Sequence, residues 1–163
     1  MIRLPGINAW FVLASLAVGY FMVYRLPPRL PKSVAALVML WSVATPLCMD
    51  HSIGSPPIDV YDTNINPALT FTDFLTWCMY PIFGYVFIYL YDLWKIGGLG
   101  IPLYVLAWAI LGACFEKLSV VFRVFQYKDW STYDSFLIYV IVQLLTVVFF
   151  RILMKVFKRA GKV

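Results

Sequence analysis

The sequence predicts an all-α fold: a polytopic integral membrane protein built as a five-helix transmembrane bundle. Three observations carry that reading. The 163 residues are 63% hydrophobic and 13% charged, where a soluble domain carries about 25% charged residues, and the mean hydropathy is +0.83. A chain this apolar cannot cover itself with a polar surface, and a bilayer removes that need. Second, five stretches without Asp, Glu, Lys or Arg run over 4–24, 33–49, 74–91, 96–115 and 135–150, close to the roughly 17–25 residues a spanning helix needs. Third, these runs are continuous and not alternating, which argues against a β-barrel. The length suits a single domain, 1–163.

The helices are expected at about 5–24, 33–49, 73–93, 101–122 and 134–154. The first, with Arg3 before it, has the outline of a signal peptide, but no A-x-A site follows its end at Phe21-Met22-Val23-Tyr24-Arg25, so it reads as a retained helix. Prolines at 27, 28 and 31 forbid a helix running on into the second span. Pro46 is expected to kink or end that second helix. The longest joint, 50–73, is rich in Pro, Asp and Asn. Gly97-Gly98-Leu99-Gly100 breaks the continuation of the third helix, and Pro102 suits the first turn of the fourth. The fifth charge-free run is short, but Arg151 and Lys155 can snorkel, which extends that helix to Met154.

The net charge is +5. The basic residues lie beside apolar runs and form no stripe, so they argue for topology and against nucleic acid. The joints after helices one and three and the C-terminal tail hold nine Lys and Arg, while the opposite side holds four: Arg3, Lys117, Arg123 and Lys128. The positive-inside rule then places the N-terminus outside and the C-terminus in the cytoplasm of a bacterial plasma membrane. Cys48, Cys78 and Cys114 all fall in apolar runs without metal-site spacing, and read as small buried hydrophobes.

Two stretches carry a resemblance: 66–74 (Asn-Pro-Ala-Leu-Thr-Phe-Thr-Asp-Phe) running into Met79-Tyr80-Pro81, and Glu116-Lys117-Leu118-Ser119 followed by Phe125-Gln126-Tyr127-Lys128-Asp129-Trp130. The pattern resembles the small multi-pass membrane proteins of Bacillus-type and Clostridium-type bacteria, an uncharacterised family, over roughly residues 60–160. The resemblance implies a plasma-membrane location and no particular activity.

Glu116 is the most informative single residue. Leu118, Val120, Val121 and Phe122 follow it, so it is expected within the apolar layer, where a charge costs several kcal/mol unless paired or protonated. Arg123 lies two turns on, and Glu116 with Arg123, or with Lys117, is a candidate ion pair; the competing reading is a proton or cation site. Asp50, His51, Asp73 and Asp134, with Asp129, fall at the outer ends of helices and form a candidate outer-face polar cluster able to ligate a divalent cation. The plainer reading is that Asp73 and Asp134 cap helices and His51 sits in a wet loop. Gln143 and Thr146 are candidates for an interhelical bond, and Ser15/Gly19 and Ala109/Ala113 for close helix approach; Gly112, one turn before Glu116, would let a neighbouring helix near that carboxylate.

No catalytic, phosphate-loop or cofactor motif occurs in the sequence, so no cofactor is expected. The expected surroundings are the lipid bilayer and another membrane protein or a second copy of the chain. The leading functional expectation is a non-catalytic membrane component or accessory subunit. The alternatives are a small transporter or channel using Glu116, and a membrane enzyme with a metal site on its outer face.

Overall fold

The computed structural model describes residues 6–63 and 70–161. Five helical segments in it are long and apolar enough to cross a membrane: Ile7–Arg25, Lys32–Ser52, Phe71–Leu93, Gly100–Val121 and Thr132–Arg159. The first two are α1 and α2. The third is divided into α3 (Phe71–Trp77) and α4 (Tyr80–Leu93); the last two are α5 and α6. Position 5, where the first helix was expected to begin, and 66–69 of the resemblance lie outside the described residues.

Four features differ from the sequence reading. The chain is not purely α: β1 (Tyr61–Thr63) and β2 (Phe125–Tyr127) pair antiparallel, Tyr61 opposite Tyr127 and Thr63 opposite Phe125. The third helix is not continuous over 73–93. Pro81 lies in the first turn of α4, and having no N–H it cannot bond back to Trp77, so the chain turns at Cys78 and restarts. Conversely, α2 neither ends nor breaks at Pro46 but runs to Ser52; the other backbone groups keep their helical partners, the only ones an apolar setting supplies. Finally, α6 runs past 154 to Arg159.

Half of the Phe71–Leu93 window is buried, against 11–33% in the other four spans, so α4 is the centre of the bundle. α2 packs along α4, α5 packs along α6, and α6 touches both α2 and α4, while α1 lies on α3 and α4. The α2–α4 approach is close because Gly84 faces Ser42: a Cβ on Gly84 would stand 1.6 Å from the Ser42 hydroxyl. Outward faces carry Val18, Phe21, Leu40, Leu103, Ile110 and Ile141, all exposed.

Side-chain contacts join the two helix pairs at one end, and toward the other a gap bordered by the two strands lies between them. At the end bearing the α6 C-terminus, Phe87 stacks on Tyr104 with centroids 5.1 Å apart, and the Tyr104 hydroxyl donates to the Phe87 carbonyl at 2.5 Å. Arg29 pairs with Asp92 at 2.6 Å there, and Arg151 donates to the Tyr91 hydroxyl at 2.8 Å. At the opposite end the pairs separate, and the β1–β2 sheet lies across the gap. Lys128 fastens the sheet through Asp59 and Asp62, at 2.8 and 3.0 Å.

Candidate functional site

Under that sheet, the C-terminal third of α5 turns one face toward α6. Gly112, Glu116 and Ser119 share it by helical spacing. A Cβ on Gly112 would lie 3.3 Å from the Tyr139 ring, so the missing side chain is what lets α6 come close. α6 starts from a capping box in which Ser131 and Asp134 satisfy each other's backbone N–H groups. That start aims Ser135 and, one turn on, Tyr139 at the same point.

Glu116 occupies that point and is 7% exposed. Its Oε1 accepts from the Tyr127 hydroxyl of β2 and from the Ser135 hydroxyl at 2.5 Å; its Oε2 accepts from the Tyr139 hydroxyl. All three partners are hydroxyls, which can donate to either carboxyl oxygen. Ser135 is itself held by the Trp130 indole N–H at 2.7 Å. Burial first, and then the bond to Glu116, push the Tyr127 phenol up to about 12.

Asp50 lies on the other side of the gap, in the last turn of α2. The Tyr61 hydroxyl of β1 donates to its Oδ1 at 2.8 Å, and burial followed by the Asp50 charge push that phenol far above its ordinary value. The second oxygen, Oδ2, is shielded from solvent and has no partner; the same holds for Oε1 of Gln143 on α6. A carboxylate in the last turn of a helix faces the negative end of the dipole, so the helix itself does not favour this placement and the Tyr61 bond offsets part of the cost.

Between the two carboxylates lies a cavity of about 400 Å³. It is lined by α2, α4, α5 and α6 together with the two strands, and much of its wall is apolar, with Trp41, Phe87, Trp108 and Val142. Trp41 spans it from α2, donating to the Thr146 hydroxyl at 2.9 Å and stacking on Phe149. The interhelical bond expected of Thr146 is this one.

The candidate residues fall out differently from their sequence pattern. Neither Arg123 nor Lys117 forms an ion pair with Glu116: among the described residues the ion pairs are Arg29–Asp92 and Lys128 with Asp59 and Asp62. The reason is that α5 ends at Val121, and Arg123 adopts a left-handed φ of 57°, so helical spacing no longer places it above Glu116. Lys117 points outward and is exposed. Nor does the outer-face cluster converge. Asp73 accepts from the Thr70 N–H and hydroxyl at 2.6 and 2.7 Å as part of a capping box, and Asp134 does the same for Ser131. His51 is not a loop residue but exposed on α2, its Nδ1 bonded to the Leu47 carbonyl. Asp50 alone of the four reaches the cavity. Among the described residues no three His, Cys, Asp or Glu side chains are placed to hold a metal ion together.

Sequence reasoning missed Tyr61, Tyr127, Trp130, Ser135 and Tyr139. A signal was present for two of them. Ser135, Tyr139, Gln143 and Thr146 recur at four, four and three residues along α6, a polar stripe in an otherwise apolar helix. The other three stand in short loops and strands whose position depends on tertiary pairing.

Comparison with known proteins leaves the site to stand on its own geometry: no family model, no curated protein and no solved structure matches this chain.

Proposed function

We propose that this chain is an integral membrane protein of a bacterial plasma membrane, N-terminus out and C-terminus in the cytoplasm, that binds a small ligand in the cavity beneath the β1–β2 sheet, as a binding or transport component and not as an enzyme. One observation carries the reading: a roughly 400 Å³ cavity, in the range of small-ligand sites, ends at a buried carboxylate held by three hydroxyls of two different elements. An apolar body with a few converging polar groups is the usual composition of such a pocket. No group of nucleophile, base and orienting residue lines it, which favours binding over catalysis. The asymmetry of nine basic residues against four supports the orientation.

The test is to purify the chain from its native membrane and identify small molecules that come with it. The expected result is a near-stoichiometric small molecule that is lost from Val142→Trp, which fills the cavity from α6 without touching Glu116. The same bulk lipids in both preparations, and nothing else, would remove the ligand-binding reading. The second reading, an accessory subunit, is favoured by the exposed apolar faces of all five spans. A stoichiometric partner protein in the same purification, with an empty cavity, would establish it instead.

A further inference from the structure

The cavity's polar groups are unbalanced in one direction. Its hydroxyl and indole donors are largely committed inside the protein. Tyr127, Ser135 and Tyr139 donate to Glu116, Tyr61 donates to Asp50, and Trp41 donates to Thr146. The hydroxyl of Thr146 donates onward to the Val142 carbonyl and that of Ser42 to the Val38 carbonyl. Among the described residues the buried polar atoms left without a partner are both acceptors, Asp50 Oδ2 and Gln143 Oε1; the Tyr80 hydroxyl also lines the cavity as a donor. Glu116 adds one more, since three of about four lone-pair directions on its two oxygens are taken. No Lys, Arg or His is among the described lining residues. Two carboxyl groups therefore face one cavity with no basic side chain beside them among the described residues.

We propose that the ligand is a primary amine carried on an apolar body, bound as its ammonium. This rests on the reading of the cavity as a ligand site and specifies its chemistry. The –NH₃⁺ group offers three donors and a positive charge, matching Asp50 Oδ2 and Gln143 Oε1 on one side and the Glu116 centre on the other. The aromatic rings of Tyr61 and Trp130, 5.7 Å apart at the sheet, add faces that attract a cation. The apolar wall of Trp41, Phe87, Trp108 and Val142 takes the apolar body. A quaternary ammonium has the charge but no N–H, and leaves the two acceptors as they are. An aminophospholipid has the ammonium but brings a phosphate, for which the lining has no cation. A carboxylate ligand meets two like charges.

The test uses the full chain in a neutral maltoside detergent and a series with one eight-carbon tail: n-octylammonium, n-octyltrimethylammonium, n-octanol and octanoate, with lysophosphatidylethanolamine as the lipid arm. Binding is read from the fluorescence of Trp41, Trp108 and Trp130, which line the cavity. Octylammonium is expected to bind about tenfold or more tightly than octanol or octyltrimethylammonium, the scale of one added charged hydrogen bond, and octanoate not at all. Asp50→Asn is expected to weaken octylammonium about tenfold and to leave octanol unchanged. Gln143→Leu, which removes the second acceptor without touching a carboxylate, serves if Asp50→Asn does not fold. Equal binding of octylammonium and octanol would overturn the ammonium assignment while leaving the cavity as a ligand site. Tightest binding of the lysolipid, of octyltrimethylammonium or of octanoate would also overturn it, as would an octylammonium affinity indifferent to the substituted acceptor. Binding of none of the series, octanol included, would remove the ligand site itself.

Discussion

A carboxylate surrounded by hydroxyls keeps its charge uncancelled, whereas one paired with arginine does not, and this separates Glu116 from an ordinary structural ion pair. Three dipoles make the buried charge tolerable. Each hydroxyl should then matter to the fold. Tyr139→Phe is expected to lower stability by about 1.5–3 kcal/mol, the range for a hydrogen bond to a charged group, measured by denaturant titration in detergent. Arg123→Gln is expected to change it by no more than about 0.5 kcal/mol, as an exposed position should. Equal costs for the two would restore the ion-pair reading. The pH dependence follows from Tyr127. Its phenol rises from about 10 in the unfolded chain to about 12 in the fold. A raised folded value contributes stability that is complete below the unfolded value and is lost as the pH climbs through the folded one. Tyr61 shifts the same way, and so does Lys128, held up by its bonds to Asp59 and Asp62. Thermal stability is expected to fall from about pH 10 upward, and Tyr127→Phe to flatten that decline. At this scale Glu116 was legible in the sequence as a charge inside an apolar run; the polar stripe that carries Ser135 and Tyr139 was there to be read, while Tyr127 reaches it only through strand pairing. Counting seven residues to Arg123 assumes a helix, and the helix stops two residues short.

Among the elements, the closest approach is between α2 and α4, and it depends on one missing side chain. Gly84→Ala would bring a Cβ to 1.6 Å from Ser42 Oγ and 2.5 Å from Ser42 Cβ. Rotating the hydroxyl away relieves the first contact but not the second, so the helices must part. The expected cost is about 1–3 kcal/mol, as for overpacking elsewhere. Ser42→Gly is expected to recover most of it in the double variant, and Ser42→Ala to recover little because it keeps the Cβ. If Ser42→Ala rescues as well as Ser42→Gly, the helices are not in backbone-limited contact. Hydropathy found all five spans, because twenty apolar residues leave a helix few alternatives. It did not find the α3–α4 break or the passage of α2 through Pro46. Both prolines obey the same local chemistry; Pro81 has a capping box on Thr70, ten residues before α4 begins, that makes a separate short helix feasible, and Pro46 has only helix on either side. The two strands have three residues each, too short for an alternating pattern to register.

For the molecule as a whole, charge is distributed by end. Asp92 is the only acidic residue at the end of the bundle that carries the α6 C-terminus; the other seven of the eight carboxylates belong to the end that carries the sheet. That asymmetry has two separate uses. The field of an acidic mouth raises the local concentration of cations and steers them in, which agrees with an ammonium ligand entering under the sheet. Orientation in the membrane is governed by Lys and Arg instead, with Asp and Glu contributing little, and there the count is nine against four. Of those four, Lys128 is already engaged by Asp59 and Asp62, so it presents less free charge than a count assigns it. The prediction is that a fluorescent reporter fused after Val163 folds and lights in the cytoplasm. A cysteine in place of Ile58, which is 56% exposed in the joint before β1, is expected to react in intact cells with a maleimide that does not cross membranes. The background for that label lacks Cys48, Cys78 and Cys114, since Cys48 and Cys114 are exposed on the helices. Ile58 and the end of α6 at Arg159 belong to opposite ends of the bundle, so the label and the reporter must give opposite answers. Labelling of Ile58→Cys only after the cells are opened, together with a dark reporter at the C-terminus, would mean that the chain inserts the other way round and that the cavity opens to the cytoplasm.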